Sequence, residues 1–203
     1  KMNKIKNIVF DIGNVLVKWD PEGIYRTLFE KDDYYNHPLS KIVGGEVWRE
    51  LDKGTIELDA AIEKLSRMNE PYGHEIDKFI REAPYHIHPL TNSVDYALKY
   101  KKLGCRIYLL SNFPEYGFKI IRNKFDFFNQ FHGEIISWNV KAIKPNRDIY
   151  NILLSEYDLD PKTTLFIDDL KENITAAEKL NIKGLHLKKD TDLGLELKRI
   201  IGF

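Results

Sequence analysis

The chain has 203 residues, and its 31 Lys plus Arg are balanced by 31 Asp plus Glu. Zero formal net charge leaves no long-range field to gather nucleic acid or an anionic membrane surface, so any anionic ligand must be held by a local site. A hydrophobic fraction of 43%, with aromatics at 12%, excludes a disordered chain and allows a sizeable core.

The opening Lys1-Met2 leads into an apolar run too short for a secretory leader, and every apolar run falls far short of the ~20 residues a membrane span needs. A cytoplasmic protein without membrane or nucleic-acid partners is expected. Residues 5–10 read as a buried strand, followed by Asp11-Ile12-Gly13-Asn14. From about residue 18 to 88 the character changes to charged, helix-favouring segments broken by Pro and Gly. Within it Leu58, Ala61, Ile62, Leu65 and Met68 form one helical stripe. Around Gly44-Gly45-Glu46-Val47-Trp48-Arg49 a turn enters a helix with polar and aromatic groups, a candidate specificity loop. Trp19 and Trp48 read either as packing residues or as the lining of a substrate cavity, and Trp138 as packing. His86 and His88 flank Ile87 at the return of this segment, where a hinge role outweighs a metal pair.

Beyond it, Val94, Ala97 and Leu98 have helical spacing, and the lone Cys105 opens a strand over 106–110. One cysteine excludes an internal disulfide, suits a reducing compartment, and here reads as a buried structural thiol. Ser111-Asn112 follows. A short strand is expected over 133–137, then Lys144-Pro145 before a helix carrying Ile149, Ile152 and Leu153. A strand over 164–167 leads into Asp168-Asp169, with Asn173 one turn on, a helix through Leu180, a strand over 184–187 and a solvated turn at Lys188-Lys189-Asp190. Strand and helix alternate, which predicts a doubly wound, Rossmann-like α/β core with a parallel sheet, formed by residues 1–17 and 89–203 and interrupted by a small α-helical cap at 18–88.

In open parallel sheets ligands bind beyond the carboxyl ends of the strands. The residues there are Asp11, Ser111-Asn112, Lys144 and Asp168-Asp169. Singly each has an ordinary explanation: a turn aspartate, a helix cap at Ser111-Asn112, a lysine before a helix starting at Pro145, a capping box from Asp169 and Glu172. Together they share one chemistry. A carboxylate attacking an anionic phosphorus needs a bound cation, further carboxylates to hold it, and a hydroxyl and a lysine for the remaining phosphate oxygens.

Phe10-Asp11-Ile12-Gly13-Asn14-Val15-Leu16, Leu110-Ser111-Asn112, Lys144-Pro145 and Phe166-Ile167-Asp168-Asp169-x-x-x-Asn173 resemble, in order and spacing, the four motifs of the haloacid dehalogenase superfamily. The Asp-x-Gly-Asn first motif resembles in particular its small sugar-phosphate phosphatases with a helical cap. The resemblance implies a magnesium-dependent phosphatase acting on a small phosphorylated metabolite, a sugar phosphate being expected, through an aspartyl-phosphate. Asp11 is then nucleophile and metal ligand, the Gly13 carbonyl a second ligand, Asp169 a direct ligand and Asp168 a direct or water-mediated one. Ser111 and Lys144 bind phosphate with the Asn112 backbone amide, and Asn173 orients the acidic loop.

One departure matters. Most of these phosphatases carry an acid-base aspartate two residues after the nucleophile, and here that position is Gly13. The carbonyl survives, but the leaving alkoxide has no evident proton donor, which predicts a steep dependence of rate on leaving-group pKa. Asp20 is a candidate replacement. Three other readings stay open: a metal-independent 2-haloacid dehalogenase, a sugar phosphomutase, and a weakened phosphate-binding regulatory protein. Against the first, two carboxylates would repel a carboxylate substrate without a bound cation.

Overall fold

Short β-branched runs bounded by Gly and polar residues pair in parallel, because the helices between them return the chain to the same end of the sheet each time. The structure is a computed structural model that describes residues 4–202; Lys1 and Met2 lie outside the described residues. The main sheet has five strands: β1 (Asn7–Phe10), β4 (Arg106–Ser111), β5 (Gly133–Ile136), β6 (Thr164–Asp168) and β7 (Lys183–His186), in the order β5-β4-β1-β6-β7. Every neighbouring pair is parallel, with Phe10 opposite both Leu109 and Ile167. The carboxyl ends of β1, β4 and β6 are therefore level, and the residues that follow them emerge side by side.

Successive strand residues face opposite layers. Ile8, Phe10, Ile107, Leu109, Leu165 and Ile167 pack on one face with α6 (Thr91–Lys102), α7 (Glu115–Lys124) and α11 (Leu193–Ile201). Val9, Tyr108, Leu110 and Phe166 pack on the other with α9 (Arg147–Glu156) and α10 (Lys171–Glu178). Cys105 is buried, and burial pushes its thiol pKa up, as befits a structural residue. No helix among the described residues is long and apolar enough to cross a membrane.

Between β1 and α6 the chain forms α1 (Pro21–Phe29), α2 (Leu39–Ile42), α3 (Glu46–Lys53), α4 (Leu58–Met68) and α5 (Gly73–Glu82). These bury a cluster of their own, including Tyr25, Leu39, Leu51, Ala61, Ile62, Leu65, Ile76 and Phe79. Met68, expected in the α4 stripe, is instead 67% exposed, since it closes the helix beyond the last turn that meets α5. A feature the sequence pattern did not reveal joins this layer to the sheet. The two-residue strands β2 (Val17–Lys18) and β3 (His88–Pro89) pair antiparallel, placing His88 opposite Lys18 at the crossing, with His86 ending the turn just before it.

A short helix, α8 (Ser137–Val140), follows β5 directly, so the strand expected over 133–137 ends one residue early. The helix after Lys144-Pro145 begins at Arg147, with the Asn146 side chain accepting from the Asp148 amide at 3.3 Å, so Pro145 is not its first residue.

Candidate active site

Asp11 leaves the centre of the sheet and turns back at once. Leu16 N donates to Ile12 O (2.9 Å) and Asn14 N to Val17 O (2.7 Å), with Asn14 at φ 54°. Asparagine tolerates this left-handed geometry better than a branched residue. Its side chain is also engaged: Oδ1 accepts from Trp19 N (3.0 Å) and Nδ2 donates to Asp169 Oδ2 (3.2 Å). Asn14 thus ties the loop after β1 to the acidic loop after β6, a contact that its place in the first motif did not announce.

Lys144 is 3% exposed and sits between two carboxylates. Its Nζ lies 2.8 Å from Asp11 Oδ1 and 2.6 Å from Asp168 Oδ2, and donates to Leu110 O at 3.0 Å. Burial works against the ammonium, but Asp11 and Asp168 outweigh it and the lysine pKa is raised. The lysine backbone is fixed by Asn112, whose Nδ2 donates to Lys144 O (3.0 Å) and whose Oδ1 accepts from Lys144 N (2.8 Å). The Asn112 side chain therefore clamps the lysine loop, a task distinct from the phosphate contact expected of its amide.

Asp168 is fully buried. Besides Lys144 it accepts from Leu170 N (2.8 Å) and, at both oxygens, from Asn173 Nδ2 (3.0 and 3.1 Å). Asp169 makes no capping box with Glu172. It points back to Asn14, while its carbonyl meets His186 Nε2 at 2.9 Å. Burial raises the Asp169 pKa against the opposing Asn14 hydrogen bond.

Oxygens of Asp11, Asp168 and Asp169 lie within 4.8 Å of one another, and among the described residues these three are the only such group of His, Cys, Asp or Glu. His86 and His88 take no part in it. Asp11 Oδ1 is held by Ile12 N (2.7 Å) as well as by Lys144, which leaves Oδ2 to face a ligand. Burial is the chief reason the Asp11 pKa is raised to about 7, with Lys144 opposing and Asp168 adding. A carboxyl so placed favours a cation, because bound positive charge restores the ionised form. The Ser111 Oγ is buried without a hydrogen-bond partner of good geometry, yet lies near enough to Asp11 to favour its charged form. A buried hydroxyl so placed is free to donate to a ligand.

Above these groups lies a cavity of about 580 Å³ bounded by the helical layer. Its floor is Asp11, Gly13, Ser111, Asn112, Lys144 and Asp169; its walls include Trp19, Val43, Trp48, Leu51, Ile80 and Phe113. Trp19 and Trp48 stand 6.0 Å apart, centroid to centroid, and Gly44 and Arg49 line the cavity beside them. Trp138 lies outside this lining, its indole Nε1 buried without a partner.

Asp20 belongs elsewhere. It caps α1, accepting from Gly23 N at 3.0 Å, and pairs with Lys18 at 3.1 Å; those contacts hold its pKa below the ordinary range. A carboxyl that gives up its proton so readily, outside the cavity lining, does not replace the acid missing at Gly13.

Residues 5–181 match the family described as haloacid dehalogenase-like hydrolase. The chain belongs to that family. This hydrolase is 28% identical to a sesquiterpene phosphatase, astK, of Aspergillus oryzae over 197 residues, 97% of each chain. Its fold is shared with the HAD family enzyme bt-2542 of Bacteroides thetaiotaomicron, solved in complex with magnesium and inorganic phosphate (26% identity, TM-score 0.74, 95% of this chain and 98% of that one). It is also shared with L-2-haloacid dehalogenase of Xanthobacter autotrophicus, solved with chloropropionic acid covalently bound (14% identity, TM-score 0.68, 98% and 83% of the two chains).

Proposed function

We propose that this hydrolase is a magnesium-dependent phosphomonoesterase that acts on a small phosphorylated metabolite through an aspartyl-phosphate on Asp11. The observation that carries the reading is the convergence of Asp11, Asp168 and Asp169 within 4.8 Å, beside a buried lysine, with Asp11 and Asp169 at the floor of one cavity. Three clustered carboxylates answered by one lysine suit a hard divalent cation, with Asp11, Asp169 and the Gly13 carbonyl as ligands. Asp168, its oxygens already engaged by Lys144, Leu170 N and Asn173, acts directly or through a water. When bound, magnesium neutralises the phosphate's charge against the attacking carboxylate.

Asp11 Oδ2 attacks phosphorus, Ser111 Oγ and the Asn112 amide donate to the non-bridging oxygens, and Lys144 supplies positive charge to them. Asn173 and Asn112 act at one remove, by fixing Asp168 and the Lys144 backbone. Residues 18–88 serve as a cap that excludes water and reads the leaving group.

The cavity walls bear on the substrate. A sugar carries hydroxyls that need paired donors and acceptors; Arg49 and Asp52 reach the cavity, but most of its wall is Trp19, Val43, Trp48, Leu51, Ile80 and Phe113, which offer few. A leaving group with a substantial apolar face fits this lining better than the sugar expected from the motif, and the likeness to an enzyme named as a sesquiterpene phosphatase supports that choice. The test is release of inorganic phosphate from a panel of sugar, aryl and prenyl phosphates, with magnesium and with excess chelator. Magnesium-dependent release, greatest for esters with an apolar leaving group, is expected. Full activity in chelator, or halide release from 2-haloacids without phosphate release, would refute it.

A further inference from the structure

We propose that Asp52, carried by the helical layer and not by the strand loops, is the general acid and base of this hydrolase, supplying the function that Gly13 cannot. The inference rests on the phosphatase reading above. Asp52 is on the last turn of α3, four residues after Trp48, so the two share one helix face and both line the cavity that holds Asp11, Ser111 and Lys144.

Its placement is enforced from the core side. The backbone carbonyl of Asp52 accepts from Ser137 Oγ, which in turn accepts from Phe113 N at 3.0 Å, so one hydroxyl joins the end of α3 to the loop after β4. Lys141 Nζ donates to Gly54 O at 2.6 Å. Gly54, at φ 69°, ends α3 where a Cβ would stand 2.6 Å from Trp138 O, so the turn sits flush against the core.

The Asp52 carboxyl has no hydrogen bond or ion pair among the described residues, and it stands apart from the three carboxylates suited to a cation. In-line displacement places the leaving oxygen opposite the nucleophile. Asp11 attacks from the sheet, so that oxygen points toward the helical layer, where Asp52 lies. Burial, with the nearby Asp11 charge, pushes the Asp52 pKa up to about 8 against the pull of Lys144, the direction a proton donor needs.

The chemistry balances. As the Asp11 Oδ–P bond forms and the ester P–O bond breaks, the Asp52 proton passes to the leaving oxygen and the alcohol departs. Asp52, now a carboxylate, takes a proton from the water whose oxygen attacks phosphorus. The aspartyl P–O bond breaks, and Asp11 carboxylate, inorganic phosphate and protonated Asp52 are regenerated.

The experiment measures kcat/KM, which reports phosphoenzyme formation, for aryl phosphates of graded leaving-group pKa and for an alkyl phosphate, with saturating magnesium. The natural protein is expected to show a shallow dependence on leaving-group pKa. Asp52→Asn, an isosteric change, is expected to lose on the order of 10²–10⁴-fold on the alkyl ester and far less on 4-nitrophenyl phosphate. Gly13 has open space, its Cβ meeting nothing nearer than Trp19 Cβ at 3.9 Å, so Gly13→Asp in the Asp52→Asn background is expected to restore part of the alkyl rate. A steep dependence in the natural protein, or an equal loss across all esters in Asp52→Asn, overturns the assignment while leaving the phosphatase reading intact. No phosphate release from any ester by the natural protein overturns both. Should Asp52→Asn fail to fold, the natural protein's own dependence decides.

Discussion

Lys144 is the residue whose loss the structure makes most costly. Its ammonium is almost wholly buried between Asp11 at 2.8 Å and Asp168 at 2.6 Å, so Lys144→Met keeps the length of the side chain but leaves two buried carboxylates without their cation. Breaking a buried ion pair from one side typically costs 3–5 kcal/mol, and about 1 kcal/mol shifts Tm by roughly 2–4 °C in a domain of this size, so a fall of about 6–20 °C is expected. Urea unfolding in chelator at alkaline pH, where Asp11 is ionised in both proteins, measures the deficit. Excess magnesium should narrow it, because an ion held by the carboxylates stabilises the folded state by mass action. Acidification should narrow it too. Burial raises the Asp11 pKa to about 7 even with Lys144 opposing, so without the lysine it rises further. The variant therefore takes up a proton on Asp11 at a higher pH than the natural protein does, and the deficit is full only in alkali and shrinks as pH falls toward 7. A loss under about 1 kcal/mol, or a deficit that grows on acidification, would refute the reasoning.

Asp52 gives a second pH test, on stability. Its raised pKa, about 8, means the folded protein holds this proton more tightly than the unfolded chain does, so stability without metal falls as pH rises from about 4 to 8. In urea titrations with chelator, Asp52→Asn should match the natural protein near pH 4 and exceed it at pH 8; the opposite trend would contradict the shift. Asp169→Asn should raise the magnesium concentration for half-maximal activity more than tenfold while changing Tm in chelator by only a few degrees, as calorimetry would show; unchanged magnesium dependence would remove Asp169 from the metal site. Trp48→Ala should raise KM for an ester with a bulky apolar leaving group and leave methyl phosphate little affected, a contrast visible in steady-state kinetics.

The core was readable because its signals are local. Each buried strand is a short apolar run, and each polar residue at its carboxyl end falls at the same sheet edge once the strands are parallel, as Phe10 opposite Leu109 and Ile167 shows. That is why Asp11, Ser111, Lys144, Asp168 and Asp169 could be named together from their order in the chain. What could not be read depends on contacts between distant segments. Asn14 looked like part of a turn, and its bond to Asp169 spans 155 residues. The β2–β3 ribbon pairs two residues with two, too few to leave a pattern. Asp52 sits in a helix end, Glu50-Leu51-Asp52-Lys53, that resembles any solvated charged turn, and only docking on Ser137 and Lys141 turns it into the cavity. Trp48 four residues earlier was the one local hint, since both fall on one helix face. Asp20, nearer in sequence to the first motif, was drawn instead into capping α1.

The account stands on Asp11 as nucleophile, and the most direct measurement is to trap its phosphoenzyme. The protein is mixed with a ³²P-labelled ester and magnesium, quenched in acid within a single turnover, and digested for peptide mapping. Label that is stable in acid, released by hydroxylamine, and carried on the peptide containing Asp11 is the predicted result, with none in Asp11→Asn, which should also lose turnover while keeping its fold. Turnover that persists in Asp11→Asn, or label carried on any other residue, would contradict the account.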